Sequence, residues 1–550
     1  MCAVSVSSRQ QASRATLVQP IDHSLDLVGL HRRNPRRYPH LLQSTAHGRY
    51  DILFACPGDS LLLNAVGTLT GRIPTGYAGS EFLHAFDDWW RDEAIEDSSE
   101  CELPFSGGWF VYLGYELAGQ IEPTLQLPES DSLLPVALAT RFKAAVIRDN
   151  DRQQLFAVAE AGQSSTLAAI DGDIAALATS DNTQSQATAV ASVREDDPQR
   201  YIAAVARIHS YILEGDVFQV NLSRRWEITL AGSASPASLF SELARHNPAP
   251  FAGMASWDAA SIISSSPERL VRVRNGVVET RPIAGTRPRG AATASDRAYS
   301  EELLAHPKER AEHIMLIDLE RNDLGRLCIP GSVEVDELMA LESYAHVHHI
   351  VSNVRGRLRE NISPGDVIRA VFPGGTITGC PKVRCMEIIA ELEQRPRGAY
   401  TGSMGYINRD GSMDLNILIR SMVCQHRQLQ LNAGAGIVFD SNAEAELEET
   451  RAKARGLLHA LGLRDAGARN RCVYWSTGSR AMLLQQQTGG CSTATVCSKP
   501  SPARKARRSS GERTCSACSR DVSGSVWDGL IPMLCGKNVW VLLKVQAALF

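Results

Sequence analysis

Two pairs of glutamates share a spacing that could place four carboxylates around one cation. Glu309 and Glu312 lie in KERAEHIMLIDLERNDLGR, and Glu446 and Glu449 lie in AEAELEETRAKARGLL. Both segments have helical patterns, and residues three positions apart lie on one face of a helix. Carboxylate oxygens without a His or Cys pattern suit a hard cation such as Mg²⁺. The alternative interpretation is two solvent-exposed helix faces.

Other segments carry polar groups of different kinds. Glu268 follows the turn SSSP at the end of a predicted strand, where a carboxylate can also serve as a simple turn cap. Arg420 lies in DLNILIRSM, which predicts a strand, and a buried arginine there needs an anion. The histidines His346, His348 and His349 are either core residues with satisfied hydrogen bonds or part of a site.

A glycine-rich segment, FPGGTITGCPKVRCMEII, leads into a predicted helix. Backbone N–H groups at such a helix start can hold an oxyanion. The segment lacks the GK[ST] ending of a phosphate-binding P-loop, which argues against a nucleotide site.

Composition limits the possible classes of function. The chain has 550 residues, a net charge of −4, 44% apolar and 21% charged residues, which is typical of a globular protein with two or three domains. This charge predicts no nucleic-acid partner and no binding to an anionic membrane. No run of about 18 apolar residues occurs, so no transmembrane helix is predicted. The 13 cysteines are scattered and the N-terminus lacks a secretory signal, so we expect a cytoplasmic protein.

The chain divides into zones of different composition. We expect an N-terminal extension at residues 1–19, a strand-rich domain at 20–174, a polar linker at 175–197 and a larger β-rich domain at 198–463. In the last of these, PQRYIAAVARIHSYILEGD predicts an amphipathic helix, VFQVNLSRRWEITL predicts a hairpin, and LVRVRNGVVET predicts two strands about an Asn-Gly turn. Together these patterns predict an α+β fold with helices packed on antiparallel sheets.

Residues 464–550 form a basic, cysteine-containing tail. The segment SKPSPARKARRSSGERT predicts disorder. Cys515 and Cys518 have the C-x-x-C form, but no second pair stands at the distance of a zinc finger. A nucleic-acid-binding tail and translation of a non-native reading frame remain alternatives.

These segments together resemble the chorismate-utilising enzymes over nearly all of residues 20–463. The motifs that carry the resemblance are DVFQVNLSRR, SSSPERL, RPIAGTRPRG, KERAEHIMLIDLERNDLGR, HHIVS, FPGGTITGCPKVRCMEII, DLNILIRS and AGAGIVFDSNAEAELEET. Within that family, LLQSTAHGRYDILFA and LPFSGGWFVYLGYEL are most similar to component I of aminodeoxychorismate synthase. Component I of anthranilate synthase is the near alternative.

The resemblance implies a fold and an activity. Residues 20–174 would be an N-terminal domain like that of anthranilate synthase component I, and residues 198–463 a chorismate-binding catalytic domain. The activity would be amination of chorismate at C4, for para-aminobenzoate and folate synthesis. Ammonia would come from a separate glutamine amidotransferase subunit, since this sequence shows no glutaminase nucleophile motif. The alternative activity is anthranilate formation for tryptophan synthesis.

The resemblance also implies roles for single residues. The implied Mg²⁺ ligands are Glu312 and Glu449, assisted by Glu309 and Glu446. The residues implied to bind chorismate are Gly434, Gly436 and Lys453 at the ring carboxylate, and Tyr400 and Arg420 at the enolpyruvyl carboxylate. Glu268 would be the general acid that protonates the leaving 4-hydroxyl. Thr376 would lie near the ring, and His349 would orient the substrate or shuttle a proton.

Two positions bear on the choice of nucleophile. Gln219 stands where water-adding relatives carry a lysine base, which argues against water. Ala284 stands in PIAGT, where aminodeoxychorismate synthases often carry a lysine that attacks the ring. Alanine has no nucleophile, so a covalent lysine adduct is excluded at this position. PIAGT is also the form usual in anthranilate synthases, so this position favours the alternative activity.

Two short segments resemble the tryptophan pocket of anthranilate synthases. The residues concerned are Leu42 and Ser44 in LLQS, and Asn247, Pro248 and Phe251 in NPAPF. The alternative is ordinary domain packing. A non-catalytic subunit is a further hypothesis, and the presence of Glu268, Glu312 and the other implied site residues argues against it.

Overall fold

The computed structural model of the protein describes residues 16–21, 25–46, 48–95, 102–130, 132–178, 189–289, 293–343 and 347–463. These residues belong to one compact unit. The predictions for His346 and for the tail at 464–550 lie outside the described residues. The predicted N-terminal extension is described only from residue 16, and the first strand already begins within it, at Leu17.

The strands all belong to one hydrogen-bonded network, and each pairing within it is antiparallel. In chain order they are β1 Leu17–Ile21, β2 His40–Leu42, β3 Tyr50–Leu63, β4 Leu69–Gly71, β5 Gly108–Leu113, β6 Ala137–Asp149, β7 Gln154–Ala159, β8 Val190–Glu195, β9 Gln219–Leu230, β10 Phe251–Trp257, β11 Ala260–Ser266, β12 Arg269–Arg274, β13 Val277–Thr280, β14 Ile283–Pro288, β15 Glu334–Ser343, β16 Val347–Arg357, β17 Gly379–Cys380, β18 Ser403–Asn408, β19 Met413–Asn416, β20 Ser421–Gln425 and β21 Gln428–Ile437.

The helices pack on this network. In chain order they are α1 Leu27–Arg33, α2 Phe82–Glu93, α3 Ala118–Ile121, α4 Ser164–Ala178, α5 Pro198–Glu214, α6 Pro236–His246, α7 Thr293–Ala305, α8 Pro307–Gly325, α9 Pro364–Val371, α10 Lys382–Glu393 and α11 Ala443–Ala460, with short 3-10 turns at Tyr115–Leu117 and Gly375–Ile377. The predicted α+β class is confirmed. Among the described residues, no helix is both long enough and apolar enough to cross a membrane.

The two predicted domains share strands and a core. β2 pairs with β10, and β5 pairs with β18, so strands from before residue 175 hydrogen-bond to strands from after residue 197. One buried apolar cluster contains Leu53 of β3 together with Ile228 of β9 and Leu431 of β21. The predicted linker contains the end of α4 and all of β8, which pairs with β9, while residues 179–188 lie outside the described residues.

The helices that carry the glutamate pairs begin at residues typical of helix starts. The Asn442 side chain accepts a hydrogen bond from the backbone of Ala445 at the start of α11, and α8 begins at Pro307, where a helix loses nothing by lacking an N–H. The predicted amphipathic helix is α5, with Asp197 as its N-cap and Gly215 in a left-handed conformation at its end. The Asn275–Gly276 turn joins β12 to β13, with positive φ at both residues, as the shortest hairpins require.

The hairpin predicted for VFQVNLSRRWEITL is wrong, because this segment forms one long strand, β9. Within this strand the Arg224 side chain is buried, with its guanidinium carbon 5.2 Å from the Trp226 ring and an ion pair of 2.7 Å to Glu195. An arginine that has aromatic and ionic partners does not have to leave the sheet.

Candidate functional site

Both glutamate-bearing helices reach the paired strands β9 and β21. Glu312 of α8 accepts a hydrogen bond at Oε1 from the Gln219 side chain of β9, at 2.8 Å. Glu449 of α11 forms an ion pair of 2.7 Å with Lys453, whose Nζ also donates to the Gly434 carbonyl of β21 at 3.0 Å. The structure therefore brings one member of each pair to the same glycine-containing strand.

The glutamates influence one another electrostatically. The pKa of Glu312 is raised to about 7, chiefly by burial and also by the negative charges of Glu309 and Glu449, while Gln219 and Lys453 act in the opposite direction. Glu446 is buried and Glu449 is half-exposed. A divalent cation would relieve this repulsion, and carboxylate oxygens are its preferred donors. In the part of the chain that the structure describes, however, no three His, Cys, Asp or Glu side chains form a preassembled metal centre.

Gly434 and Gly436 allow side chains of β9 to lie directly against β21. A methyl group at Gly436 would overlap Gln219 Nε2. A methyl group at Gly434 would lie 2.8 Å from both Asn221 Oδ1 and the Tyr400 hydroxyl oxygen. Only glycine leaves this space at the backbone, so the AGAG sequence forms a floor on which Gln219, Asn221 and Tyr400 converge.

Glu268 lies between β11 and β12 and is only 4% exposed. The Thr376 hydroxyl donates to Glu268 Oε1 at 2.7 Å, and the backbone N–H of Ile283 also donates to this carboxyl group. Burial outweighs both hydrogen bonds and raises the pKa of Glu268 to about 7. At neutral pH this carboxyl group is therefore able both to hold a proton and to release it, as a general acid must.

His349 lies on β16 and is 4% exposed. Its Nδ1 is 3.4 Å from the Gly285 carbonyl oxygen. Burial lowers the pKa of His349 to about 4, and the positive charge of Arg420 adds to this effect. The imidazole is therefore neutral at neutral pH. It can orient a substrate by hydrogen bonding, but it carries no proton in excess to donate.

The prediction that Arg420 lies on a strand is wrong. Arg420 lies in the loop directly before β20, with a left-handed backbone (φ 52°). The Arg420 carbonyl accepts hydrogen bonds from the backbone and hydroxyl groups of Ser265, at 3.1 and 3.2 Å. Within the described part of the chain, no side chain hydrogen-bonds to its guanidinium group. Tyr400 and Glu449 are the charged or ionisable groups that influence it. A partly buried arginine without a hydrogen-bonded carboxylate partner is able to bind an anion.

A second group of ionisable side chains, missed by the sequence analysis, lies behind Glu268. Glu320 of α8 is 6% exposed, and burial together with the nearby Asp323 raises its pKa. Lys382 of α10 forms an ion pair with Asp323. The spacing offered a signal, because Glu320 follows Glu312 by eight residues and so lies on nearly the same helix face.

Ala284 is buried in β14, opposite Ile350 of β16. It directly precedes Gly285, whose carbonyl faces His349 and where a methyl group would lie 3.0 Å from Glu309 Oε2. Position 284 therefore belongs to the strand that borders the candidate site, although alanine supplies no functional group there.

The residues of the predicted tryptophan pocket lie on neighbouring segments. Leu42 pairs with Gly253 of β10, and the Asn247 side chain donates to Ser265 Oγ at 2.6 Å. An open cavity of about 420 Å³ adjoins them and is lined by residues that include Gly48, Pro250 and Phe251. Ser44 accepts a hydrogen bond from the Gly48 backbone, at the edge of this cavity. Pro248 follows Asn247 in the chain, two residues before Pro250 of this lining. Tryptophan binding stays a prediction.

Comparisons with known proteins identify the family of the chain. The family model described as chorismate binding enzyme matches residues 65–459. An anthranilate synthase component I-like protein of Synechocystis sp. is 44% identical over 366 residues, covering 65% of this chain and 73% of that protein. Aminodeoxychorismate synthase component 1 of Bacillus subtilis is 38% identical over 452 residues, covering 78% of this chain and 92% of that protein.

A solved structure shows the same likeness in three dimensions. The crystal structure of anthranilate synthase component I from Streptococcus pneumoniae TIGR4 superposes with a TM-score of 0.66 at 30% identity, covering 74% of this chain and 92% of that chain. The matched family region contains Glu268, Glu312, Arg420 and the glycine floor. The chain belongs to the family of chorismate binding enzymes.

Proposed function

We propose that the chain is component I of aminodeoxychorismate synthase, which replaces the 4-hydroxyl of chorismate by an amino group. The observation that carries the proposal is Glu268, a buried carboxyl group with a pKa near 7 that lies beside Thr376 and forms no ion pair with any residue that the structure describes. Hydroxide is a poor leaving group unless it is protonated as it departs. The B. subtilis relative, which matches over 92% of its length, supports the choice within the family.

The reaction balances with ammonia as the only co-reactant. The ammonia nitrogen forms a bond to the ring, the C4–O bond breaks, and Glu268 gives its proton to the departing oxygen, which leaves as water. The new ammonium group then releases one proton, which restores the carboxylic acid or passes to solvent. Gln219 has no basic group. A water molecule in the position of the ammonia nucleophile would therefore not be deprotonated by Gln219.

Charged groups at the two ends of the site suit a dicarboxylate such as chorismate. Arg420 and the Tyr400 hydroxyl would bind the enolpyruvyl carboxylate. At the other end, Lys453 and the Gly434–Gly436 backbone would lie near the ring carboxylate. His349, being neutral, would position the ring through a hydrogen bond.

Mg²⁺ is the cofactor that the acidic pairs suit. Glu312 and Glu449 would hold it, with Glu309 and Glu446 assisting, and the metal would supply positive charge for the ring carboxylate. The raised pKa of Glu312 supports this assignment. The negative charges of Glu309 and Glu449 raise it, Lys453 only partly offsets them, and a bound cation would compensate the remaining negative charge. Binding a metal requires the carboxylate form, so metal affinity should rise with pH.

A separate glutaminase subunit would supply the ammonia. The name component 1 of the B. subtilis relative supports an arrangement with a second component. The sequence shows no glutaminase nucleophile motif, which also supports a separate source of ammonia.

Anthranilate synthase component I is the second candidate. It is supported by Ala284, which gives the form PIAGT, and by the anthranilate synthase-like relative of Synechocystis sp..

Incubating the full chain with chorismate, Mg²⁺ and an ammonium salt separates the two candidates. We expect no anthranilate fluorescence, and para-aminobenzoate only after a lyase is added. Fluorescence without a lyase would favour the second candidate.

The rate of amination should fall as the pH rises through about 7, when it is measured at saturating ammonia. Glu268 is active when protonated, and its raised pKa means that the protonated form is lost in this range. The Thr376→Val variant removes a hydrogen bond that lowers this pKa, so its descending limb should lie at higher pH. A limb that does not move would show that another group controls it.

The Arg420→Gln variant should bind chorismate more weakly. Losing a charge-assisted contact to a carboxylate should raise the KM for chorismate by about a hundredfold, with a smaller effect on kcat. The matched control is Arg194→Gln, which removes an exposed arginine on β8 that pairs only with Glu227 in the described structure. An unchanged KM in Arg420→Gln would contradict the proposed position of the enolpyruvyl carboxylate.

A further inference from the structure

A second buried carboxyl group lies close to the general acid. Glu320 of α8 is 6% exposed, and its Oε1 would lie 3.3 Å from a methyl group at Gly375. The next residue of the same turn, Thr376, donates its hydroxyl hydrogen to Glu268 Oε1 at 2.7 Å. Neighbouring residues of one short turn therefore contact the two carboxyl groups.

The connection between β13 and β14 also reaches both groups. Thr280, at the end of β13, is buried, and its hydroxyl makes no full hydrogen bond to any residue that the structure describes. This hydroxyl lies near enough to Glu320 to lower the pKa of its carboxyl group. Three residues further on, the backbone N–H of Ile283 donates to Glu268. Two separate segments thus hold Glu320 and Glu268 as neighbours in the protein interior.

Charge couples the two carboxyl groups. The pKa of Glu320 is raised chiefly by burial, then by the negative charge of Asp323, and also by that of Glu268, while Lys382 and Thr280 act in the opposite direction. Two acids that repel each other when ionised do not lose both protons together. When Glu268 gives up its proton, the pair therefore still contains the proton of Glu320. Because burial raises the pKa of both groups, that proton can pass between them at a small cost in free energy.

Glu268 must regain its proton after every turnover, because the departing oxygen takes it. We propose that Glu320 supplies this proton and so resets the general acid between turnovers. The O–H bond of Glu320 breaks as that of Glu268 forms, with the Thr376 hydroxyl placed to accept one hydrogen bond and donate another. Solvent then restores the proton of Glu320, and the proton lost by the new ammonium group passes to solvent, so the cycle balances. This inference rests on the proposed amination of chorismate and adds the group that makes it repeatable.

An ion pair beside Glu320 stabilises its ionised form while it waits for a proton. Lys382 of α10, whose side chain is 15% exposed, pairs with Asp323, which follows Glu320 by three residues on α8. The charged and polar groups that act on Glu320 within the described residues are Asp323, Lys382, Thr280 and Glu268. Lys382 is the cation of this group, and its partial exposure places solvent on that side of Glu320.

The test compares the first turnover with the steady state, in the full chain with chorismate, Mg²⁺ and an ammonium salt at neutral pH. Glu320→Gln keeps the shape of the side chain but has no acidic proton. The rate of the first turnover should stay within about twofold of the wild type, whereas the steady-state rate should fall about tenfold, a tenth or less of the factor that a general acid contributes to the chemical step. Glu320→Asp keeps an acidic proton and should hold the steady-state rate within about threefold of the wild type.

Asp318→Asn is the matched control, because Asp318 is an exposed acid on the same helix and forms a surface ion pair with Arg321. It should change neither rate, and equal melting temperatures with an unchanged KM for chorismate would show that the variants fold alike. An unchanged steady-state rate in Glu320→Gln overturns the inference, and so does an equal loss of both rates. A loss in Glu320→Asp as large as that in Glu320→Gln would show that shape matters and the proton does not, which also overturns it. If the wild-type chain produces no amine from chorismate and ammonium, the proposed function itself fails, which is a distinct outcome.

Discussion

Replacing the buried carboxyl group of Glu268 should lower the rate of amination by about a thousandfold, because a positioned general acid contributes on this scale. The Glu268→Gln side chain still accepts the hydrogen bond from Thr376 but has no proton to give to the leaving oxygen. Chorismate should bind as before, since the anion-binding groups are Arg420, Tyr400 and Lys453. The measurement is the rate of amine formation at saturating chorismate and ammonia.

The same variant should also change the pH profile. If Glu268 causes the descending limb near its pKa of about 7, the residual rate of Glu268→Gln should not fall through that range. Glu334→Gln is a suitable control, because Glu334 lies exposed on β15 and forms a surface ion pair with Arg355. A Glu268→Gln enzyme that keeps most of the wild-type rate would contradict the assignment of the general acid.

Removing one carboxylate from each helix should weaken the response to Mg²⁺. In Glu312→Gln and in Glu449→Gln, the Mg²⁺ concentration for half-maximal activity should rise by about a hundredfold. Loss of a residue that only supports a metal ligand typically weakens metal binding by about 10- to 100-fold, and loss of a ligand itself should cost at least the upper end of that range. The calorimetric affinity for Mg²⁺ in the presence of chorismate should fall in the same proportion.

Glu448→Gln is the matched control, because Glu448 is the neighbour of Glu449 on α11 and forms a surface ion pair with Arg451. Glu312→Gln offers a second readout that does not depend on activity. It removes the repulsion from Glu309 and Glu449, so the melting temperature without metal should not fall. An unchanged Mg²⁺ requirement in both variants would show that these helices do not hold the metal.

The sequence predicted the helices of the site better than the contacts that these helices make with segments distant in sequence. The spacing of Glu309 and Glu312 and of Glu446 and Glu449 indicated α8 and α11, because a helical pattern is local and can be read within a single turn. The Asn275–Gly276 hairpin was predicted for the same reason. Glu268 was singled out as a turn-adjacent carboxylate, but its raised pKa depends on burial by segments that are distant in sequence.

What the sequence did not predict depends on long-range register. Asn221 lies opposite Gly436, with its side chain beside Gly434, and no local pattern in the sequence indicates that pairing. The single strand β9 was mistaken for a hairpin because burial of Arg224 depends on Trp226 and Glu195. Arg420 was assigned to a strand, whereas its left-handed backbone and contacts to Ser265 place it in a loop.

The product formed from chorismate and ammonium by the full chain with Mg²⁺ tests the central claim most directly. Mass spectrometry and NMR of the reaction mixture should show a compound with an amino group in place of the 4-hydroxyl and with the enolpyruvyl ether intact. Glu268→Gln should not form it at a comparable rate. Anthranilate with released pyruvate, or a hydroxylated isomer formed from water, would contradict the proposed function.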